Sequence, residues 1–422
     1  MRCVVKFLFR YYSRQSASVG VWIFARILFQ VCWVVLATRL LGDSGFGELA
    51  GIIGLAAIFG GICGLGQGWV MFNSAVGRPS EFVRAWNKAF GAHVATGIAL
   101  VPLFSIAASF LLDVDLGLTA IAMVAVAEVM AAPLTQLSCF AFASQHRPIV
   151  SSAIAAGAAA FRILGAIALW LYSDQMSVAQ FCAAHLLSTV CAALFALSLV
   201  HSQLGPKWHP TTISEQEWLA GLEYCGTWAG NLSLTSADKV FALNYSGAAV
   251  NGLYAVVYRI AGMVSLPMES ATTAKTPLIF QQTQRGDLGL SGIWKRTGSY
   301  LVFSAFAAGV LLVLSTPIAS LFGPAFTPVS DALPLAFPLI ALLGVRGLLT
   351  NVLLALGSRR LLLLAQSLGI TSMAIAFPLL ATAHGLAGCL LAIVIAESVF
   401  NFSMLLFVHI STRNRCKIKA GE

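Results

Sequence analysis

The sequence predicts an all-α integral membrane protein of about twelve spans. Three observations predict it. The chain has 422 residues, 59% hydrophobic and 10% charged, with mean hydropathy +0.86, which no soluble domain of this size shows. Its apolar residues gather into runs near the twenty that a bilayer core requires. Its Lys and Arg residues outside those runs fall on alternate connections only, the pattern of cytoplasmic loops.

The spans are predicted at 18–40, 46–72, 89–112, 117–143, 149–173 and 177–201, then at 218–243, 249–274, 297–321, 331–356, 360–382 and 385–409. Arg2, Lys6, Arg10 and Arg14 precede the first span, so residues 1–17 read as a cytoplasmic interfacial segment. Its apolar run is too short and broken for a cleaved signal peptide. Arg78, Arg84 and Lys88 follow the second span, Arg147 the fourth and Lys207 the sixth. Lys275, Arg285, Lys295 and Arg296 follow the eighth, and Arg359 and Arg360 the tenth. Arg413, Arg415, Lys417 and Lys419 fill the tail, 410–422. The alternate loops, near Asp43, 113–115, Asp174, Ser246, 322–330 and His384, hold neither Lys nor Arg. Both termini are therefore expected in the cytoplasm of a bacterial inner-membrane protein. The net charge of +9 then reports orientation and contact with membrane lipid headgroups, not nucleic acid. The polar stretch 202–217, with two prolines, reads as a linker between lobes at 18–201 and 218–409.

A short internal repeat supports that division. Residues 40–55 read LLGDSGFGELAGIIGL and residues 244–260 read NYSGAAVNGLYAVVYRI. Each is a Gly-bearing turn followed by Gly, a bulky residue and Ala entering a span: Gly47 to Ala50 and Gly252 to Ala255. Gly60, Gly64 and Gly68 form GxxxGxxxG, expected on one helical face for close backbone packing. Pro102, Pro133, Pro267, Pro334, Pro338 and Pro378 lie inside spans and mark bends. The nine cysteines are scattered, without CxxC or a His at metal spacing, so neither a metal nor a cofactor is expected.

Ionisable groups inside spans are costly and face a partner or a wet cavity. Here they are Arg26, Arg162, Lys239, Arg259 and Arg346, with Glu48, Glu128, Asp238, Glu269 and Glu397. Arg26 and Arg259 lie near mid-span with no acid three or four positions away. They read either as structural partners of acids on other helices or as an anion site, since guanidinium grips phosphate oxygens in pairs. The seventh span carries Asn231, Ser233, Thr235, Ser236, Asp238 and Lys239, fitting a helix that lines a cavity or a polar seam. Asp238 and Lys239 are sequence neighbours, so they are not expected to pair within the helix. Glu128, Glu269 and Glu397 are candidates for carrying a coupling proton or sodium ion, or for holding the arginines.

Three passages carry a resemblance. They are ATRLLGDSGFGELAGIIGLAAIFGGICGLG (37–66), SADKVFALNYSGAAVNGLYAVVYRIAGMVSLPMES (236–270), and LALGSRRLLLLAQSLGI with HGLAGCLLAIVIAES (354–370, 384–398). In order and spacing the chain resembles the bacterial polysaccharide-export flippases of the multidrug/oligosaccharidyl-lipid/polysaccharide (MOP) superfamily. The resemblance implies two pseudo-symmetric six-helix lobes around a central cavity, working by alternating access, and an undecaprenyl-pyrophosphate-linked oligosaccharide as substrate, carried from the cytoplasmic to the periplasmic leaflet for surface polysaccharide assembly. It implies a pyrophosphate held by Arg26 and Arg259, with Lys239, Arg162 and Arg346 behind them and Asp238 and Asn231 lining the cavity. Polysaccharide polymerase and chain-length proteins are implied partners. The basic residue after Asp238 is Lys, where the family often has Arg. Lipid II flippases of the same superfamily usually have further spans after the twelfth, so they fit less well.

Two alternatives remain open at this point. A cation-coupled multidrug antiporter of the same superfamily would favour acids in its cavity. A membrane polymerase or glycosyltransferase could use Asp113 and Asp115 as a DxD, but the loop is short and no large extracytoplasmic loop, P-loop or nucleophile–base pair accompanies it. The chain is therefore not expected to be an enzyme.

Overall fold

The protein is described by a computed structural model that places residues 2–114, 116–172, 176–207, 209, 211–285 and 290–421, without the side chains of 2–17, 270–271, 273–278, 280–281, 283–285, 290–296 and 413–421. Most of the predicted basic clusters (Arg2 to Arg14, Lys275 to Arg296, Arg413 to Lys419) and Asp115 lie outside those described side chains.

Among the described residues the regular structure is all helical, in the order α1 (Arg2–Ile62), α2 (Gln67–Ala75), α3 (Pro79–Leu111), α4 (Leu118–Val124), a π-helix (Ala125–Ala131), α5 (Ala132–Ser144), α6 (Pro148–Trp170), α7 (Val178–Leu204), α8 (Glu215–Arg285), α9 (Leu290–Leu321), α10 (Val329–Ala332), α11 (Phe337–Ala355) and α12 (Arg359–Gly421). Among the described residues nine helices are long and apolar enough to cross a membrane. A helix of 61 residues such as α1 would measure about 90 Å if straight, three times the hydrocarbon core. It breaks instead at Gly42 (φ 69°, ψ −172°). Helices α8 and α12 break likewise at Gly247 (φ 81°, ψ 169°) and Gly385 (φ 53°, ψ −127°). These are backbone conformations that side chains bearing a Cβ rarely adopt. The protein is thus an all-α multi-pass membrane protein, as the apolar runs predict.

The second predicted span departs from the reading of one glycine face. Cys63–Gly66 forms a 3₁₀ turn with Gly64 at φ 76°, Leu65 at φ 45° and Gly66 at φ 73°, so Gly60, Gly64 and Gly68 do not share a continuous helix. Each is still a close-packing site. A Cβ on Gly60 would meet the Glu128 carbonyl, on Gly64 the His93 ring, and on Gly68 the Phe140 ring. Thr96 holds the turn by accepting the Gly64 N–H at 2.7 Å. The tenth span also starts late: Pro334–Ala336 is a 3₁₀ turn and α11 begins after it, because prolines at 334 and 338 remove two donors.

The chain forms two compact units, interleaved in sequence: Met1–Gly42 with Leu55–Ala229, and Asp43–Gly54 with Gly230–Glu422. The first unit has a core of Met71, Phe82, Trp86, Leu137, Phe142, Ile154 and Val200. The start of α8 belongs to it. Ser214 and Glu217 form a capping box, starting the helix inside the stretch read as a linker. Glu217 then receives the Lys88 ammonium at 2.7 Å, and its carbonyl accepts from the Gln67 amide at 3.0 Å. In the second unit the opening of the repeat packs on itself. A Cβ on Gly47 would collide with the Ala248 carbonyl and one on Gly252 with the Asp43 carbonyl. Asn251 donates to the Gly47 carbonyl at 2.7 Å.

Candidate functional site

In the first unit, three intramembrane groups meet. Glu128 Oε1 accepts from Arg162 Nη2 at 2.7 Å and lies 2.7 Å from His185 Nε2. The π-helix places that carboxylate. Pro133 cannot donate the N–H that would close a normal turn onto the residue 129 carbonyl, and its ring crowds that carbonyl. The helix widens over Ala125–Ala131 instead, a local form that often marks functional positions. Trp33 packs beside the imidazole, ring centroids 5.8 Å apart. His185 is buried and was missed by charge-based reading of the span.

Arg26 behaves differently. It is exposed, and it makes no hydrogen bond or ion pair with any described residue. Val21, Trp22, Ile23 and Phe24 just before it are all exposed, so this stretch of α1 is little covered by its own unit on any face. The guanidinium lies within electrostatic reach of Cys139 on α5.

In the second unit, the seventh-span polar residues form a closed network. Asp238 is fully buried, and Lys239 Nζ reaches both its carboxylate oxygens at 2.8 Å. This overturns the expectation that the two neighbours cannot pair. The short carboxylate stays put, and the four-carbon lysine stem curls back along the helix, where Nζ also donates to the Thr235 carbonyl at 2.6 Å. The ammonium sits 3.6 Å from the centre of the Tyr258 ring, a cation–π contact. Tyr254 donates to Asp238 Oδ2 at 2.6 Å, an oxygen that Lys239 also reaches. Arg346 pairs with the fully buried Glu397 at 2.7 Å, and Glu269 and Tyr258 lie within its field. Glu397 Oε2 has no hydrogen-bond partner among the described residues. Arg259 is half-buried and adds to the positive field at Lys239. Asn231 is half-buried, and its backbone carbonyl accepts from Thr235 at 3.1 Å. Glu269 is exposed.

The predicted site residues therefore divide. Arg162, Lys239 and Arg346 are each neutralised by an acid of their own unit, while Arg26 is not neutralised by any described residue. A cavity of about 350 Å³ in the second unit, lined by Leu301, Ala341, Val345, Leu349, Phe402 and their neighbours, is apolar and holds none of these cations. Among the described residues no group of His, Cys, Asp and Glu could hold a metal ion.

No protein-family model and no curated protein matches the chain. Solved structures do. A multidrug resistance MATE family transporter of the MOP superfamily, in its inward-facing conformation, is similar at TM-score 0.73 and 14% identity, over 93% of this chain and 96% of that one. The lipid II flippase MurJ, inward closed, is similar at TM-score 0.70 and 13% identity, over 93% and 87%. A MOP superfamily transporter from Pyrococcus furiosus, described as having a binding pocket of reversed polarity that suggests a different function, is similar at TM-score 0.68 and 14% identity, over 95% of each. The chain has the fold of these transporters.

Proposed function

We propose that the protein is a flippase that carries an undecaprenyl-pyrophosphate-linked oligosaccharide from the cytoplasmic to the periplasmic leaflet of a bacterial inner membrane, with both termini cytoplasmic. The observation that carries this reading is Arg26, an exposed guanidinium in an apolar span with no acid of its own among the described residues. A permanent cation in that setting is costly unless an anion or water meets it. A lipid-borne pyrophosphate supplies the anion from within the membrane and matches the guanidinium fork. The polyprenyl tail remains in lipid. In the second unit we assign Arg259 to anion binding, and Asp238 and Asn231 to sugar binding. The paired Arg162, Lys239 and Arg346 are assigned to shaping the units. Glu128, with Arg162 and His185 on one oxygen, is the carboxylate we assign to a coupling ion, with Glu397 and Glu269 as further candidates.

The test is Arg26→Ala in a strain whose surface glycan depends on this protein. Export falls while membrane insertion and thermal stability stay normal, and Arg26→Lys restores part of it. Full export by a normally inserted Arg26→Ala protein defeats the reading. A second reading, export of cationic drugs, is favoured by Glu269, exposed in the eighth span. It requires that expression raise resistance to ethidium and that Glu269→Gln abolish the effect.

A further inference from the structure

In the first unit the start of α8 lies on a strained part of the second span. Gly64, Leu65 and Gly66 all have positive φ. Glycine adopts that region freely, but Leu65 (φ 45°, ψ 44°) carries a Cβ into it, at a cost an ordinary helix would avoid. The turn is held from α8 as well as from Thr96. Gly66 and Gly221 meet backbone to backbone. A Cβ on Gly66 would strike the Gly221 carbonyl, and one on Gly221 would strike the Leu65 carbonyl and the Gln67 amide group. Cys225 Sγ, one turn on, lies 3.9 Å from the Ile62 carbonyl, and Tyr224 stacks on Trp69 of α2. The hold is anchored at one carboxylate. Glu217 accepts from the Ser214 N–H, capping its own helix, and takes the Lys88 ammonium on both oxygens at 2.7 Å. Its carbonyl accepts from Gln67, the residue that follows the turn. Asn87, beside Lys88 on α3, donates to the Lys207 carbonyl at 2.9 Å. Helix α2 has a separate seat: Met71 and Ala75 are buried in the first unit's core.

We infer that residues 214–225 are a releasable strap. Seated, they keep Leu65 in its strained conformation and the second span bent. Lifted, they free 64–66 as a hinge, about which the residues before the turn swing while α2 stays in its core. Hinges are short runs that absorb a large change in φ and ψ, and a glycine on each side of Leu65 permits one. The contact at Gly66 and Gly221 interlocks no side chains, and the anchor is polar, with the Glu217 side chain 33% exposed. The strap therefore parts from the turn at little cost in buried apolar surface, and the strain at Leu65 favours parting. The inference rests on the transporter fold and not on the identity of the substrate.

The experiment follows backbone hydrogen–deuterium exchange by mass spectrometry on the purified full chain in nanodiscs, with no substrate present. Glu217→Gln keeps the helix cap and weakens the bond to Lys88. Peptides covering 62–66 and 214–225 are expected to exchange about tenfold faster together, while a peptide covering 70–75 is unchanged. Gly221→Ala lifts the strap by one methyl with the anchor intact and is expected to give the same pattern. Lys88→Cys with Glu217→Cys, with the native cysteines replaced by alanine, is joined by a short bis-methanethiosulfonate. Exchange at 62–66 is expected to fall below wild type in the joined protein and to recover with dithiothreitol. In inverted membrane vesicles the same cross-link is expected to stop transport of lipid-linked glycan until it is reduced. Faster exchange of 214–225 with 62–66 unchanged overturns the strap. An equal gain at 70–75 overturns it too, because the unit is then unfolding. Transport at the wild-type rate by the cross-linked protein removes the strap from the cycle. Exchange needs no substrate, so a chain that transports no glycan in any form defeats the flippase reading and leaves the exchange result standing.

Discussion

Gly47 and Gly252 pack reciprocally: each follows its corner glycine by the same number of residues, and each lies against the residue that follows the other's corner. The corners are Gly42 and Gly247, and the contacted residues are Ala248 and Asp43. The repeat legible in the sequence is therefore a contact between its own two copies. A methyl at either position would strike a backbone carbonyl. Gly47→Ala and Gly252→Ala should each cost about 1–3 kcal/mol through overpacking. Gly42→Ala has open space around it and should cost a similar ~1–3 kcal/mol through backbone strain alone. The two causes separate with serine. Gly47→Ser should be worse than Gly47→Ala, whereas Gly42→Ser and Gly42→Ala should unfold alike, as read by thermal unfolding in detergent. Equal midpoints for Gly47→Ser and wild type contradict the close approach.

The Arg346–Glu397 pair gives a different signature. Removing one partner leaves a buried charge, so Arg346→Met should destabilise by about 3–5 kcal/mol. The double variant Arg346→Met with Glu397→Leu should recover most of that loss. A double variant as unstable as the single one shows that the pair contributes through packing and not through charge.

Tyr254→Phe tests the network around Asp238. It removes one hydrogen bond to a buried carboxylate and should cost about 1.5–3 kcal/mol. Lys239→Met should cost more, because it strips two contacts from the carboxylate and the cation from the Tyr258 ring. The opposite order of midpoints places the main support of Asp238 on the phenol.

Pro133→Ala restores the missing N–H and should let the π-helix close to an α-helix. Losing the extra residue turns Glu128 by about 100° around the helix, away from Arg162 and His185. Glu128→Gln should then matter in the wild-type background and hardly at all beside Pro133→Ala, a coupling read by a double-mutant cycle. Additive effects of the two changes would mean that the proline does not set the carboxylate's direction.

The membrane class was legible in composition, and the glycine turns near 42 and 247 were legible as a repeat. What local rules could not show was anything decided by reach or by distant approach. The rule that neighbouring helix positions diverge describes Cβ directions, and the lysine stem at 239 is long enough to defeat it. The GxxxG spacing marked close packing correctly at Gly60 and Gly68, but positive φ at Gly64 and Gly66 broke the face between them. His185 carried no signal beyond being a histidine in an apolar span. Trp69 meets Trp228 edge-on, ring centroids 6.2 Å apart, across most of the first unit's sequence, where no periodicity links them. Arg26 was visible as an oddity; only the structure separates it from Arg162 and Arg346, which have partners.

The interleaving of the two units bears on how the chain is made. Residues 43–54 emerge from the ribosome early, yet the surface they pack on, around 236–252, is synthesised much later. The first unit in turn stays unfinished until Glu217 arrives to meet Lys88. During biogenesis the early hairpin must therefore wait in the translocon or beside it, its glycines uncovered. Cutting the gene at 202–217 should yield two fragments that assemble only when co-expressed.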